Sequence, residues 1–131
     1  MAQEKAMCTK TEKEYYVYML RCRDDSLYVG ITPDLLQRMK AHCGKISGGA
    51  RYTRSHPVIA LEAAWKTEHR TAAARMEYAL KKLTHAQKLL LLDEPERICD
   101  TYVPRLNEYV YTAVSKPVLA ACLKNAMEEA V

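Results

Sequence analysis

Residues 15–42 read YYVYMLRCRDDSLYVGITPDLLQRMKAH, and the alternation inside this stretch decides the fold. Tyr16 and Tyr18 alternate with Val17 and Met19, the period-2 pattern of a half-buried strand. The polar cluster Arg23-Asp24-Asp25-Ser26 turns the chain into a second strand at 27–31, close enough in sequence to pair as an antiparallel hairpin. Thr32 followed by Pro33 predicts an N-cap and a first helical residue, so the second strand feeds into a helix bearing Arg38 and His42. Side chains alternate along a strand, so Tyr18 and Tyr28 share a face only where paired residues have numbers summing to an even value. An odd sum would put them on opposite sides of the sheet.

Val17-Tyr18, then Tyr28-Val29-Gly30, then Arg38 ten residues beyond Tyr28, with Glu77 further on, resembles a GIY-YIG nuclease domain. The likeness is to a small single-domain branch that reads Y-V-Y, Y-V-G-I-T, R, H, G-K, Y-T-R and P in this order. It covers about Tyr15 to Leu92. Tyr16 stands where the motif name has Gly, a change this branch shares, and the C-terminal Asn of larger members has no counterpart here. Each piece alone is ordinary strand sequence; the ordered set carries the resemblance.

The resemblance implies an α+β fold, a small three-stranded antiparallel sheet flanked by helices, and hydrolysis of DNA phosphodiesters with one divalent metal. Tyr18, Tyr28, Arg38, His42 and Glu77 are then the catalytic candidates. A lone carboxylate such as Glu77 suits Mg²⁺ (or Mn²⁺), a hard ion that keeps water and substrate oxygens as its other ligands. Arg38 can grip a phosphate and stays charged at any working pH. A free phenol is scarcely ionised near neutrality, so Tyr18 or Tyr28 serves as base only with help. His42, at i+4 from Arg38, shares its helix face and is either the activator of the tyrosines or the rival base. Gly30 leaves room for backbone or substrate beside Tyr28, while Lys45, Arg51, Tyr52, Thr53 and Arg54 are assigned to the nucleic-acid backbone.

Each of these residues also has a plain structural explanation. Tyr18 and Tyr28 could be sheet residues, Arg38 could pair with Asp34, Glu77 with Lys81, and His42 could sit at a helix end for its dipole.

The 131 residues suffice for one domain with a core, and a formal net charge of +4 is compatible with a polyanionic partner. Five scattered cysteines without a C-x-x-C pair favour free thiols in a reducing cytoplasm over disulfides or zinc. No stretch approaches the roughly 20 apolar residues of a membrane span. Residues 1–14 are charged and aperiodic and read as a flexible tail. Gly44, Ser47, Gly48 and Gly49 among basic residues read as a flexible loop.

Residues 58–66 form a third predicted strand, with Ile59, Leu61, Ala63 and Trp65 on one face and Glu62 on the other. Thr71 is the expected cap of a helix striped by Ala73, Met76, Leu80 and Leu83, and Thr84-x-x-Gln87 is a capping-box pattern for the next. Residues 15–92 thus make the nuclease-like domain. Residues 93–131 make an extension in which 107–114 reads as a weak strand and 117–126 as an amphipathic helix. That extension is expected to complete the core or to bind a second copy or another protein.

The functional expectation is a DNA endonuclease of structure or damage specificity, with a place in DNA repair. The alternative is a nucleic-acid-binding module that has kept the fold without turnover.

Overall fold

A computed structural model describes residues 14–128. The chain runs β1 (Tyr15–Cys22), β2 (Leu27–Thr32), α1 (Leu35–His42), α2 (Arg51–Ser55), β3 (Val58–Thr67), α3 (Arg70–Lys81) and α4 (His85–Asp93). Three short helical turns, Pro95–Arg97, Ile98–Tyr102 and Pro104–Glu108, lead to β4 (Tyr111–Ala113) and α5 (Lys116–Glu128). The expected flexible tail lies outside the described residues except for exposed Glu14.

The strands form one antiparallel sheet in the order β2-β1-β3-β4, so the expected three strands gain a fourth. β4 pairs only with the end of β3, from Trp65 to Thr67, and the strand expected over 107–114 shrinks because Asn107 and Glu108 are still in a helical turn. β1 is central and buried on both sides, which its alternating apolar and aromatic residues allow.

In the hairpin Tyr18 faces Gly30 and Leu20 faces Tyr28, so every pair sums to 48 and the two tyrosines do share a face. The loop is closed by the Cys22 N–H donating to the Ser26 carbonyl at 2.9 Å. Asp25 takes φ 72°, a left-handed conformation that aspartate tolerates.

The sheet has a helical layer on each side. On one side Val17, Met19 and Trp65 are fully buried under Ala73, Met76 and Leu80 of α3, with Leu91, Ile98 and Leu106 completing the cluster. On the other, Tyr18, Leu20, Leu61 and Ala64 pack beneath Leu35 and Met39 of α1 and Leu119, Leu123 and Ala126 of α5. The C-terminal helix is thus packed on the sheet through the stripe that its sequence shows.

Three local expectations are corrected. Leu61 and Ala63 face opposite sides because the β1–β3 register shifts between Met19 and Leu20; Glu62 is the extra residue, its carboxylate bonded to Arg21 Nε at 2.6 Å. Ile59 beyond it is half-exposed. The N-cap of α1 is Asp34, accepting from the Gln37 N–H, while Thr32 ends β2 and hydrogen-bonds Asp34. The N-cap of α3 is His69, without a side-chain bond, so Thr71 lies inside the helix. The Thr84–Gln87 capping box is present in both its bonds.

Candidate active site

Burial of polar side chains marks the site. His42 and Thr53 are 5% and 4% exposed and Tyr18 1%, and burying such groups costs free energy unless each is hydrogen-bonded. All three are. The Tyr18 hydroxyl lies 2.7 Å from His42 Nε2, and His42 Nδ1 lies 2.9 Å from Thr53 Oγ1.

The protons follow from the last member of the chain. Thr53 Oγ1 donates its hydrogen to the Ala50 carbonyl at 3.1 Å and so can only accept from His42. His42 therefore carries its proton on Nδ1, and its Nε2 lone pair accepts from the Tyr18 hydroxyl. That phenol oxygen also accepts from Arg38 Nε at 3.3 Å.

The charges agree with this assignment. Burial, reinforced by the Arg38 charge, lowers the His42 pKa from its ordinary value to about 4, so the imidazole is neutral at pH 7. Burial raises the Tyr18 pKa to about 12 against the opposing pull of Arg38, so the phenol keeps its proton at rest. For Arg38, burial works against the charge, but the phenols of Tyr18 and Tyr28 outweigh it and hold the guanidinium pKa above its usual value.

Arg38 is held from a second side. Its Nη1 donates to the Gly48 carbonyl at 2.7 Å, and Gly48 has φ 100°, a conformation that glycine adopts freely. The loop read as merely flexible thus orients the guanidinium. The alternative pairing of Arg38 with Asp34 that spacing allows is not made; Asp34 caps the helix instead.

Aromatic rings wall the other side. Tyr28 lies edge-on to His42, with centroids 5.3 Å apart, and stacks on Tyr52 at 5.6 Å; Tyr52 stacks in turn on His56 at 3.9 Å. The Tyr52 hydroxyl donates to Ser26 Oγ at 2.6 Å, tying α2 to the hairpin turn. His56 is accordingly a packed ring 3.6 Å from Asp24.

Glu77 comes from the opposite layer, on α3, yet its negative charge is felt at Tyr18, where it helps hold the phenolic proton. Its carboxylate is 26% exposed and lies 3.3 Å from Lys81 Nζ, the i,i+4 pair that spacing allowed. Among the described residues no group of three or more His, Cys, Asp or Glu gathers around a common point. The donor set is one partly open carboxylate, which fits an ion of the Mg²⁺ type, with few protein ligands.

Among the residues assigned to the nucleic-acid backbone, Lys45, Arg51 and Arg54 are exposed. Two others have different tasks. Thr53 is buried against His42 and cannot reach a phosphate. A Cβ on Gly30 would lie 2.5 Å from the Tyr18 hydroxyl, so the space this glycine leaves is filled by the protein's own phenol and not by substrate. Tyr52 is half-buried in the ring stack. Thr53 as partner of His42 and Gly48 as partner of Arg38 had no signal in the sequence, since both depend on how the loop folds back over α1.

An antiparallel hairpin feeding a helix thus brings two phenols, a guanidinium and an imidazole together, with a carboxylate in the opposite layer. Residues 14–89 match the family model of the GIY-YIG catalytic domain, over half of the chain, and the chain belongs to that family of nuclease domains, whose substrate is DNA. Among curated relatives it is 42% identical over 85 residues to a UPF0213 protein of Xanthomonas axonopodis pv. citri, covering 65% of this chain and 81% of that one. It is 37% identical over 82 residues to a UPF0213 protein of Fusobacterium nucleatum, 63% of this chain and 80% of the other. The solution NMR structure of the UPF0213 protein BH0048 from Bacillus halodurans matches with 36% identity and a TM-score of 0.41, over 68% of this chain and 96% of that one.

Proposed function

We propose that this chain is a DNA endonuclease that uses one divalent metal ion, with Tyr18 and His42 forming a proton relay. The observation that supports this most is the single-direction hydrogen-bond chain from Tyr18 through His42 to Thr53 and the Ala50 carbonyl. As water attacks phosphorus and the P–O bond to the departing sugar oxygen breaks, the Tyr18 oxygen takes the water's proton while its own passes to His42 Nε2, and the departing oxygen takes a proton from solvent. Neither phenolate nor imidazolium has to exist at rest, which the resting charges disfavour. Arg38, already aligned by Gly48 and Tyr18, places its guanidinium where negative charge develops on the phosphoryl oxygens. Mg²⁺ or Mn²⁺ held by Glu77 would supply further positive charge to those oxygens. Lys45, Arg51 and Arg54 contact neighbouring phosphates without reading bases. With little surface beside the site for base readout, selectivity is for strand structure or damage, in keeping with a repair role.

The second reading, a binding module without turnover, draws on the Glu77–Lys81 ion pair, which already engages the carboxylate. Nicking of supercoiled plasmid separates the two. We expect cleavage that needs Mg²⁺ or Mn²⁺, stops with chelator, and falls at least about 10²-fold in Tyr18→Phe and in Glu77→Ala. Thr53→Val should lower kcat with KM kept, because His42 loses the acceptor that fixes its tautomer, and Thr53→Ser should recover it. Plasmid binding with no cleavage by any divalent ion would leave the module reading standing.

A further inference from the structure

We propose that α3 carries a second phosphate-binding pocket, whose Arg70 lies two helical turns from Glu77, built jointly by the family domain and the C-terminal extension. It takes a distal phosphate of the same DNA strand. This rests on the nuclease reading above and extends it to a surface outside the catalytic cluster.

The pocket is a cavity of about 710 Å³ between α3 and the turn at Pro104–Glu108, lined by Arg70, Ala74, Arg75, Tyr78, Arg105 and Glu108 among others. Three guanidinium groups thus border one depression. Arg75 is loosely paired with Glu108 at 3.9 Å, while Arg70 and Arg105 have no hydrogen-bond or ion-pair partner among the described residues. Positive charges gathered around a concavity with a single acid among them repel one another unless an anion joins them. Guanidinium is also the side chain best shaped for bidentate phosphate contact.

Placement on the helix says which anion. Arg70, Ala74, Glu77 and Lys81 fall at i, i+4, i+7 and i+11, so the mouth of the pocket and the candidate metal ligand share one stripe of α3. Seven residues of helix advance about 10 Å, the axial rise of about three nucleotides of one strand. Ala74, the small residue between them, leaves that stripe open. Tyr78, 62% exposed on the neighbouring row, offers a ring to an unpaired base, and Lys82 Nζ lies 4.8 Å from its centre. A strand leaving the scissile phosphate past Glu77 therefore meets cations next along α3. Arg105, Leu106 and Glu108 lie beyond the 14–89 region matched by the family model, so three of the eight lining residues belong to the extension.

The test is the salt dependence of binding to a 20-nucleotide DNA, single-stranded and duplex, by fluorescence anisotropy without divalent metal. Losing two phosphate contacts in Arg70→Gln/Arg105→Gln should reduce the slope of log Kd against log salt by about 1.4 to 1.8, whereas Arg70→Lys/Arg105→Lys should largely restore it. A control with equal charge loss, Lys116→Gln/Lys124→Gln on α5, should leave the slope near that of the unmodified chain. DNA too short to span the distance from Glu77 should bind the unmodified chain and the double arginine variant alike. Arg70, Arg105, Lys116 and Lys124 are all exposed and clear of the core, and circular dichroism checks each variant's fold. An unchanged slope in the arginine variant, or an equal fall in the lysine control, overturns the pocket while leaving the nuclease reading intact. An unmodified chain that binds no DNA overturns both.

Discussion

The two faces of β1 differ in kind. Val17 and Met19 point into a layer closed by Trp65, Met76 and Leu80, where the polar groups each donate a single hydrogen bond to a backbone carbonyl: the Trp65 indole N–H to Pro95 at 2.7 Å, the Tyr111 hydroxyl to Ala72 at 2.6 Å and the Thr67 hydroxyl to Val110 at 2.8 Å. Tyr18, one residue along, points into a layer that is just as buried but holds an imidazole and two hydroxyls. Burial therefore does not separate scaffold from chemistry in this molecule. The separation is whether the buried groups hand hydrogen bonds to one another in a fixed order, and a strand of period two supplies both faces from adjacent residues.

Perturbing one face at a time sharpens the contrast. On the apolar face Trp65→Ala should cost about 3–5 kcal/mol of unfolding free energy in urea, through lost contacts and the cavity left behind. The surviving folded fraction should keep the pH profile of nicking, and a shifted profile would show the faces to be coupled.

On the polar face the imidazole makes stability depend on acid. His42 takes a proton in the unfolded chain near pH 6.5 but only near 4 when folded, so the unfolded state binds more protons between those values. Stability should then fall as pH drops from about 6.5 to about 4, by about 3 kcal/mol at most, and be unaffected by this group above that window. His42→Gln should flatten this part of the denaturation profile. The same fall in the variant would mean that other groups cause it.

The smallest change tests the join between the faces. Gly30→Ala pushes a methyl against a phenol that is 1% exposed and cannot swing aside, at a cost of about 1–3 kcal/mol. It should also slow nicking, because Tyr18 is moved off His42. Wild-type stability and rate together would show that the phenol has room after all.

How much of this was legible in the chain depends on the range of each interaction. The hairpin and the Thr84 capping box are local, and alternation and spacing reveal them; alternation leaves the parity of the register open, and only the paired strands make it even. The cap of α1 falls two residues beyond Thr32 because Thr32 and Asp34 both have capping side chains, and the Gln37 N–H goes to the Asp34 carboxylate at 3.1 Å. Leu61 was put on the wrong face because a bulge at Glu62 leaves the sequence alternation looking intact. Thr53 was read as a surface contact because its neighbours Arg51, Tyr52 and Arg54 look like one. Only the fold brings it to an imidazole eleven residues back. The catalytic candidates were named from family likeness, and what the fold adds is their wiring.

That wiring bears on the end of each catalytic cycle. With Tyr18 on one ring nitrogen and Thr53 on the other, both nitrogens of His42 are engaged inside the protein. Whatever it receives during bond cleavage must leave by the way it came, through the phenol, once the products have departed. Resetting is then a distinct event that an exchange of solvent hydrogen for deuterium should slow.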